Sequence, residues 1–422
     1  MKEYKRTIDH SWDFKGADTK EYTHCYHNYP AMMIPQIARR LIAEYRPEKC
    51  DFLLDPYCGS GTSLLEAILA GMGAVGFDLN PLARFISRTK CEAYKPERIE
   101  NTINQLMRLL DDYSEHKVTR KDFSRLTKYT YWYSPDALVK LEYIQEIIED
   151  IVSVEERDFF NLALAETVRE ASFTRNGEFK RYRMDEKKLQ SFHPDVFGIF
   201  HEKLDRNLAG LTSFINFIKE KHYKNFPSAG VYDKNSCEDD CLAILPDSFL
   251  FDMVVTSPPY GDSRTTVAYG EFSRWANEWF GFEHAKDLDR ILMGGQKEKE
   301  PIFQTQTTQP AIDAIRKEDE KRYYEVISFL NDYARSIKNV SKMIRGGGVV
   351  CYVVGNRTVK GVQIPLDYFT AEMFEQNGFE HIDTIVREFP TKRMPSKNSP
   401  SNKAGEKSST MTNEYIVILK KK

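Results

Sequence analysis

Short apolar runs ending on glycine-rich or polar turns alternate along this chain with longer stretches whose apolar residues recur every three or four positions. Phe52-Leu53-Leu54 predicts a short buried strand, and Leu64-Leu65 with Ala67-Ile68-Leu69 predicts the apolar face of a helix after it. Ala74-Val75-Gly76-Phe77 predicts a second strand, which stops at Asp78. Phe251 to Val255 forms another apolar run, and Glu414 to Leu419 reads as a final strand.

Between the first strands and the Phe251 run the pattern changes to helix. Leu141, Ile144, Ile147, Ile148 and Ile151 recur at helical spacing, as do Phe197, Phe200, Leu204, Leu208, Leu211 and Ile215. Residues 95–230 are therefore expected to form a mostly helical insertion with its own small core. It divides a larger α/β domain into residues 1–94 and 231–422.

Two turns carry the chemistry. The first is Asp55-Pro56-Tyr57-Cys58-Gly59-Ser60-Gly61-Thr62, between a predicted strand and a predicted helix. Gly59 and Gly61 allow a tight turn and a close backbone approach to a ligand, and Thr62 or Ser63 can cap the helix. Asp78 follows the loop by roughly 20 residues at a strand end, a position suited to a ribose hydroxyl pair. Asp55 suits a cofactor with a cationic amino acid end. The full dinucleotide-binding glycine pattern is missing.

The second turn, Ser257-Pro258-Pro259-Tyr260, leaves the carboxyl end of the Phe251 strand, where open α/β sheets bind ligands. Two prolines stiffen it and contribute no N–H donors. An exocyclic base amine is a poor nucleophile because its lone pair is delocalised into the ring. Acceptors at Ser257 Oγ and the Pro258 carbonyl can hold its hydrogens and direct the nitrogen, and Tyr260 can stack on the base. A base inside a duplex is out of reach, so this chemistry requires base flipping or a single strand.

Together the two turns resemble those of the DNA amino-methyltransferases of restriction–modification systems. The resemblance implies a doubly wound, Rossmann-like methyltransferase sheet, S-adenosyl-L-methionine as cofactor and double-stranded DNA as substrate. A cognate restriction endonuclease is an expected partner. The segment His27 to Pro35, with Tyr29 and Pro30, is similar to the family segment near the methionine end of the cofactor. Leu79 follows Asp78 in the cofactor region. Asn235-Ser236 stands where the family usually has an acid for the adenine amine. The helix around Val326 to Ile344 and the strand Val349 to Val354 resemble later sheet-building motifs. A Ser in first place of the catalytic turn is associated with cytosine N4 methylation more often than with adenine N6. Carbon-5 chemistry is disfavoured, since it uses a nucleophilic cysteine, usually after a proline, and no cysteine here follows one.

Candidate nucleic-acid contacts are Arg175, Arg181 and Arg183 in the insertion, although nearby acids also permit a merely solvated charge run. Arg264 follows the catalytic turn and is placed to meet phosphate. Lys392, Arg393 and Lys397 belong to a polar, proline-broken loop before the last strand. Tyr269, Phe272, Trp275 and Trp279 are spaced as a helix core rather than as a stacking platform.

Net charge is -3, so attraction to DNA has to come from local patches. Seven scattered cysteines fit a reducing cytoplasm, and Cys237 with Cys241 lacks a second ligand pair, so no metal is expected. The start lacks a signal-peptide pattern, and no apolar run is long enough for a membrane helix. The favoured reading is a DNA methyltransferase acting on cytosine N4. Adenine N6 methylation, RNA guanine N2 methylation and an inactive cofactor-binding DNA-binding subunit are the alternatives.

Overall fold

A computed structural model describes residues 3–175, 177–223, 226–244, 246, 249–262, 267–388, 397–398, 408–409 and 413–422. Eight strands form one sheet: β1 Arg6–Ile8, β2 Phe52–Asp55, β3 Gly73–Phe77, β4 Ala229–Tyr232, β5 Phe251–Thr256, β6 Ile344–Val354, β7 Phe379–Glu388 and β8 Asn413–Lys421. Their spatial order is β1-β7-β8-β6-β5-β2-β3-β4. All neighbours run parallel except β8, which is antiparallel to both β6 and β7. The chain winds outwards from β2 to β3 and β4, then returns to the other side of β2 with β5 and β6. The point between β2 and β5 is thus the switch where a doubly wound sheet opens a crevice at its carboxyl ends.

The helices that matter here are α1 Pro35–Tyr45, α2 Thr62–Leu69, α3 Pro81–Cys91, α4 Pro96–Asp111, α5 Pro135–Ile151, α6 Arg157–Glu170, α7 Val196–Lys221, α8 Tyr269–Trp279, α9 Glu320–Met343 and α10 Leu366–Gln376. Their starts follow local chemistry. Asn80 caps α3 by accepting from the Leu82 N–H, and Ser134 caps α5 by accepting from that of Ala137. In both, proline fills the first helical position, where its missing N–H is no loss.

Successive residues of each strand feed opposite faces of the sheet. Leu53, Met253, Val255 and Cys351 join one apolar cluster, which includes residues of α1, α2 and α3. Leu54, Val254, Val350 and Tyr352 join the other, beneath α9 and α10. The doubly wound α/β class expected above is the fold observed.

Helices α4 to α7 follow α3 and precede β4, within the span expected to be helical. Among the described residues this span forms no separate small core. Leu141, Ile144, Phe200 and Leu204 belong to the same cluster as Leu64 and Leu65 of α2. The reason lies in α6, which buries Phe159, Phe160, Leu162, Leu164 and Val168 on nearly every side. A helix apolar all round has to be enclosed. It packs against α3, α5, α7 and α8, so the insertion is continuous with the main core.

Candidate functional site

Asp55 closes β2 and is almost wholly buried, with Oδ1 accepting from Thr256 Oγ1 at 2.6 Å and from the Tyr57 N–H at 3.2 Å. Burial pushes its carboxyl up to about 6. The loop then turns through Gly59 and Gly61, both in left-handed conformations with φ of 48° and 76°. The Gly59 N–H donates to Asp78 Oδ2 at 3.0 Å, and its carbonyl accepts from Ser87 Oγ at 2.6 Å. Asp78 Oδ1 also accepts from the Asn80 N–H at 2.7 Å, and burial pushes this carboxyl up to about 6 as well. Two acids, Asp55 buried and Asp78 partly exposed, therefore face one crevice from the ends of adjacent strands.

That crevice is a cavity lined by Tyr29, Pro30, Asp55, Pro56, Tyr57, Cys58, Gly59, Ser60, Thr62, Asp78, Leu79, Asn235, Ser236, Ser257 and Pro259. Every one of these had been singled out from the sequence. Gly61, Pro258 and Tyr260 are not among the lining residues. Gly61 serves helix packing: a Cβ there would lie 2.9 Å from Ser87 Cα. Tyr260 points its hydroxyl to Glu414 Oε1 at 2.8 Å, and that hydroxyl lies 3.3 Å from Ser257 Oγ.

Asn235 and Ser236 reach the cavity while bonded elsewhere. The Asn235 amide donates to Glu238 and accepts from the Cys237 N–H. Ser236 is tied to α9, its hydroxyl accepting from Ser336 at 2.8 Å and its carbonyl from Asn339 at 3.2 Å. Tyr57 donates its hydroxyl to Ser336 too, so α9 braces both sides of the cavity. Tyr29 accepts from Asn80 Nδ2 at 2.8 Å and stacks on Tyr269, with ring centroids 5.9 Å apart.

Several lining residues are not among the predicted cofactor or catalytic residues. Met32, Met33, Ser63, Asn80, Lys234, Cys237, Tyr269, Leu292 and Met293 also border the cavity. Met32 and Met33 lie inside the His27 to Pro35 segment and Ser63 follows Thr62, so proximity was a usable signal. Leu292 and Met293 come from a connecting segment without any motif.

The basic candidates separate. Arg175 is exposed, and its N–H closes a narrow hairpin onto the Tyr182 carbonyl. The Arg181 guanidinium packs against Trp275 at 4.9 Å, and burial pulls its pKa down. Arg183 donates to the Tyr131 carbonyl and sits 4.3 Å over the Tyr131 ring. Arg264, Lys392, Arg393 and the Lys397 side chain lie outside the described residues. Phe272, Trp275 and Trp279 are core, and only Tyr269 of that stripe reaches the cavity.

Residues 21–113 match the methyltransferase domain described as UPF0020, RMKL-like. The chain is 37% identical to the type II methyltransferase M.MvaI of Kocuria varians, across 96% of this chain and 93% of that protein. The chain belongs to the type II methyltransferases. Another relative of this methyltransferase, M.BsoBI of Geobacillus stearothermophilus, is 24% identical over 58% of the chain and 50% of its own length. A tRNA (guanine(10)-N2)-dimethyltransferase of Methanocaldococcus jannaschii is 38% identical, but across only 12% of this chain and 15% of its own.

S-adenosyl-L-methionine is the cofactor expected of a methyltransferase domain of this kind. The charge of the cavity fits it. Asp55, buried, and Asp78, partly exposed, offer negative charge to a molecule carrying a sulfonium and an ammonium. Ser63, fully buried in the cavity wall, contributes its hydroxyl to the Asp55 carboxylate as a hydrogen-bond donor. Among the described residues no helix is long and apolar enough to cross a membrane.

Proposed function

We propose that this type II methyltransferase modifies a specific site in double-stranded DNA, transferring methyl to the exocyclic amine of a flipped base, with cytosine N4 favoured. The observation that carries the reading is that Ser257 and Pro259 of the catalytic turn line the same cavity as Asp55 and Asp78. Asp78 holds the ribose hydroxyls and Asp55 the amino acid end, while the Gly59 backbone closes against the cofactor. The cofactor supplies an electrophilic methyl on sulfur. Ser257 Oγ and the Pro258 carbonyl accept the amine hydrogens and aim the nitrogen at that methyl, which suits direct displacement without an enzyme nucleophile. The target base has to leave the duplex stack to reach a turn at the carboxyl end of β5. Of the basic candidates described, Arg175 is the one whose exposure suits a phosphate contact. A cytoplasmic location and a cognate endonuclease partner accompany this reading.

The Ser in the turn favours cytosine N4 over adenine N6. Guanine N2 chemistry on RNA is supported by the Methanocaldococcus relative, though that likeness extends over only 52 residues. Mass spectrometry of nucleosides from a methylation-free host expressing the protein distinguishes these. A rise in N4-methylcytosine is expected, absent with Ser257→Ala. N6-methyladenine instead changes the base and keeps the clamp. Methylated guanine in RNA, with DNA unchanged, overturns the DNA reading.

A further inference from the structure

The catalytic turn ends in a hydrogen-bonded chain whose polarity can be read without seeing a proton. Tyr260 is 2.8 Å from Glu414 Oε1, and an ionised carboxylate only accepts. The single Tyr260 proton therefore points to Glu414. Ser257 Oγ lies 3.3 Å from the same phenol oxygen, which has only lone pairs left on that side. Within that contact Ser257 is therefore the donor and Tyr260 the acceptor. What Ser257 then presents to the cavity is its lone pairs, which is what an amine hydrogen requires.

Glu414 is itself held. It faces Arg387 across the β7–β8 ladder and pairs with that guanidinium through Oε2. Arg387 is buried and donates to the Trp12 carbonyl at 2.7 Å and the Asp13 carbonyl at 3.1 Å. Its donors are thus shared between Glu414 and the backbone near β1, which leaves Glu414 Oε1 for Tyr260. Desolvation first, and the Glu414 charge second, raise the Tyr260 pKa well above its ordinary value, so the phenol stays a donor.

We propose that Glu414 is a positioning residue for methyl transfer, setting the Ser257 hydroxyl as an acceptor through Tyr260. Glu414 touches neither base nor cofactor in this role. The inference rests on the amine-clamp reading above. It deepens that reading by explaining how a serine, which can donate as well as accept, is kept in its accepting orientation. With glutamine at 414 the amide can donate to the phenol oxygen. Tyr260 is then released to donate to Ser257 and to occupy the lone pair meant for the amine.

The test compares wild type, Glu414→Gln, Tyr260→Phe and the double variant by initial rates with radiolabelled cofactor. Unmethylated genomic DNA and total RNA serve as separate acceptors. Losing one charge-assisted hydrogen bond of this kind is expected to lower kcat about 10- to 100-fold in Glu414→Gln. KM for the cofactor should stay within about twofold, since the interaction acts on the chemical step. Tyr260→Phe should lose a similar factor, and the double variant should lose no more than the worse single one, because both act through one chain. Tyr260→Phe leaves the Glu414–Arg387 pair whole, so it carries the test if Glu414→Gln folds poorly. A kcat near wild type in Tyr260→Phe, or losses that multiply in the double variant, overturns the proposal. Wild-type transfer to RNA alone overturns the DNA reading instead, and the same four-way comparison is then made on RNA.

Discussion

Thr256 Oγ1 donates to Asp55 Oδ1 at 2.6 Å, joining the last residue of β5 to the last residue of β2 at the switch point of the sheet. The next residue after Thr256 is Ser257, and the next after Asp55 opens the glycine loop. The two turns of the candidate site are thereby built on one joint between adjacent parallel strands. Positioning of that kind is what a displacement reaction needs, because misplacement of about 1 Å can remove about 100-fold of rate.

Asp55 and Asp78 also predict a pH dependence. Burial raises both carboxyls to about 6 in the ligand-free protein, so both are largely ionised at neutral pH and protonated below that value. A cationic cofactor prefers the ionised forms. Affinity should be nearly flat above neutral pH and about tenfold weaker at about pH 5 for each acid that must lose its proton on binding. Stability of the ligand-free protein runs the other way: a folded pKa above the unfolded one means stability is lost as pH rises through about 6. Titration calorimetry of cofactor binding at the two pH values checks this. An affinity unchanged between them would remove both acids from the cofactor site. Asp78→Asn should flatten part of the slope while keeping the fold.

The two loop glycines should fail differently. A Cβ on Gly61 would press to 2.9 Å on Ser87 Cα, which is backbone and cannot swing aside, and φ there is +76°. On Gly59 the nearest atom would be Tyr29 Cε1 at 3.8 Å, an ordinary contact, with only the left-handed backbone at φ +48° to strain. Gly61→Ala should therefore cost about 2–4 kcal/mol of stability, and Gly59→Ala about 1 kcal/mol. Gly59 lines the cavity and Gly61 does not, so Gly59→Ala should show the larger loss of cofactor affinity relative to its stability change. Denaturant unfolding and calorimetry on the same two variants separate these effects. Equal stability losses would contradict the packing role given to Gly61.

The site was legible wherever a turn had to leave a strand end, because the residues permitted there are few and their spacing is fixed by the sheet. Asp55 to Thr62, Asp78 and Ser257 could be read this way. Tyr260 was legible as part of the turn, but its partner was not. Glu414 lies 154 residues further on, and nothing local distinguishes it from any acid beginning a strand. Leu292 and Met293 reach the cavity by the path of a connecting segment, which carries no periodicity. The helical insertion was visible in its 3.6-residue pattern. That it shares the main core was not, because an apolar residue in a helix does not announce which neighbour it meets. Arg181 shows the same limit: a basic residue between aromatics reads alike whether its guanidinium faces phosphate or packs on Trp275.

That difference makes Arg175 and Arg181 a useful pair. Arg175 is exposed beside a hairpin that rests on α8, where Glu271 accepts from the Arg181 N–H and the Phe272 carbonyl accepts from Arg169. The first residue of α8, Tyr269, lines the cavity, so the hairpin is carried by the same helix as a wall of the site. Arg175→Ala should weaken DNA binding, lower the salt slope of binding by about one, and leave stability unchanged within about 0.5 kcal/mol. Arg181→Ala should remove the stack on Trp275 and cost about 1–2 kcal/mol of stability, by lost packing more than by lost charge. Fluorescence anisotropy with duplex DNA across a salt series, together with thermal unfolding, reads both quantities. A salt slope that falls for Arg181→Ala and not for Arg175→Ala would exchange the two roles, placing the phosphate contact on the arginine that the structure packs against tryptophan.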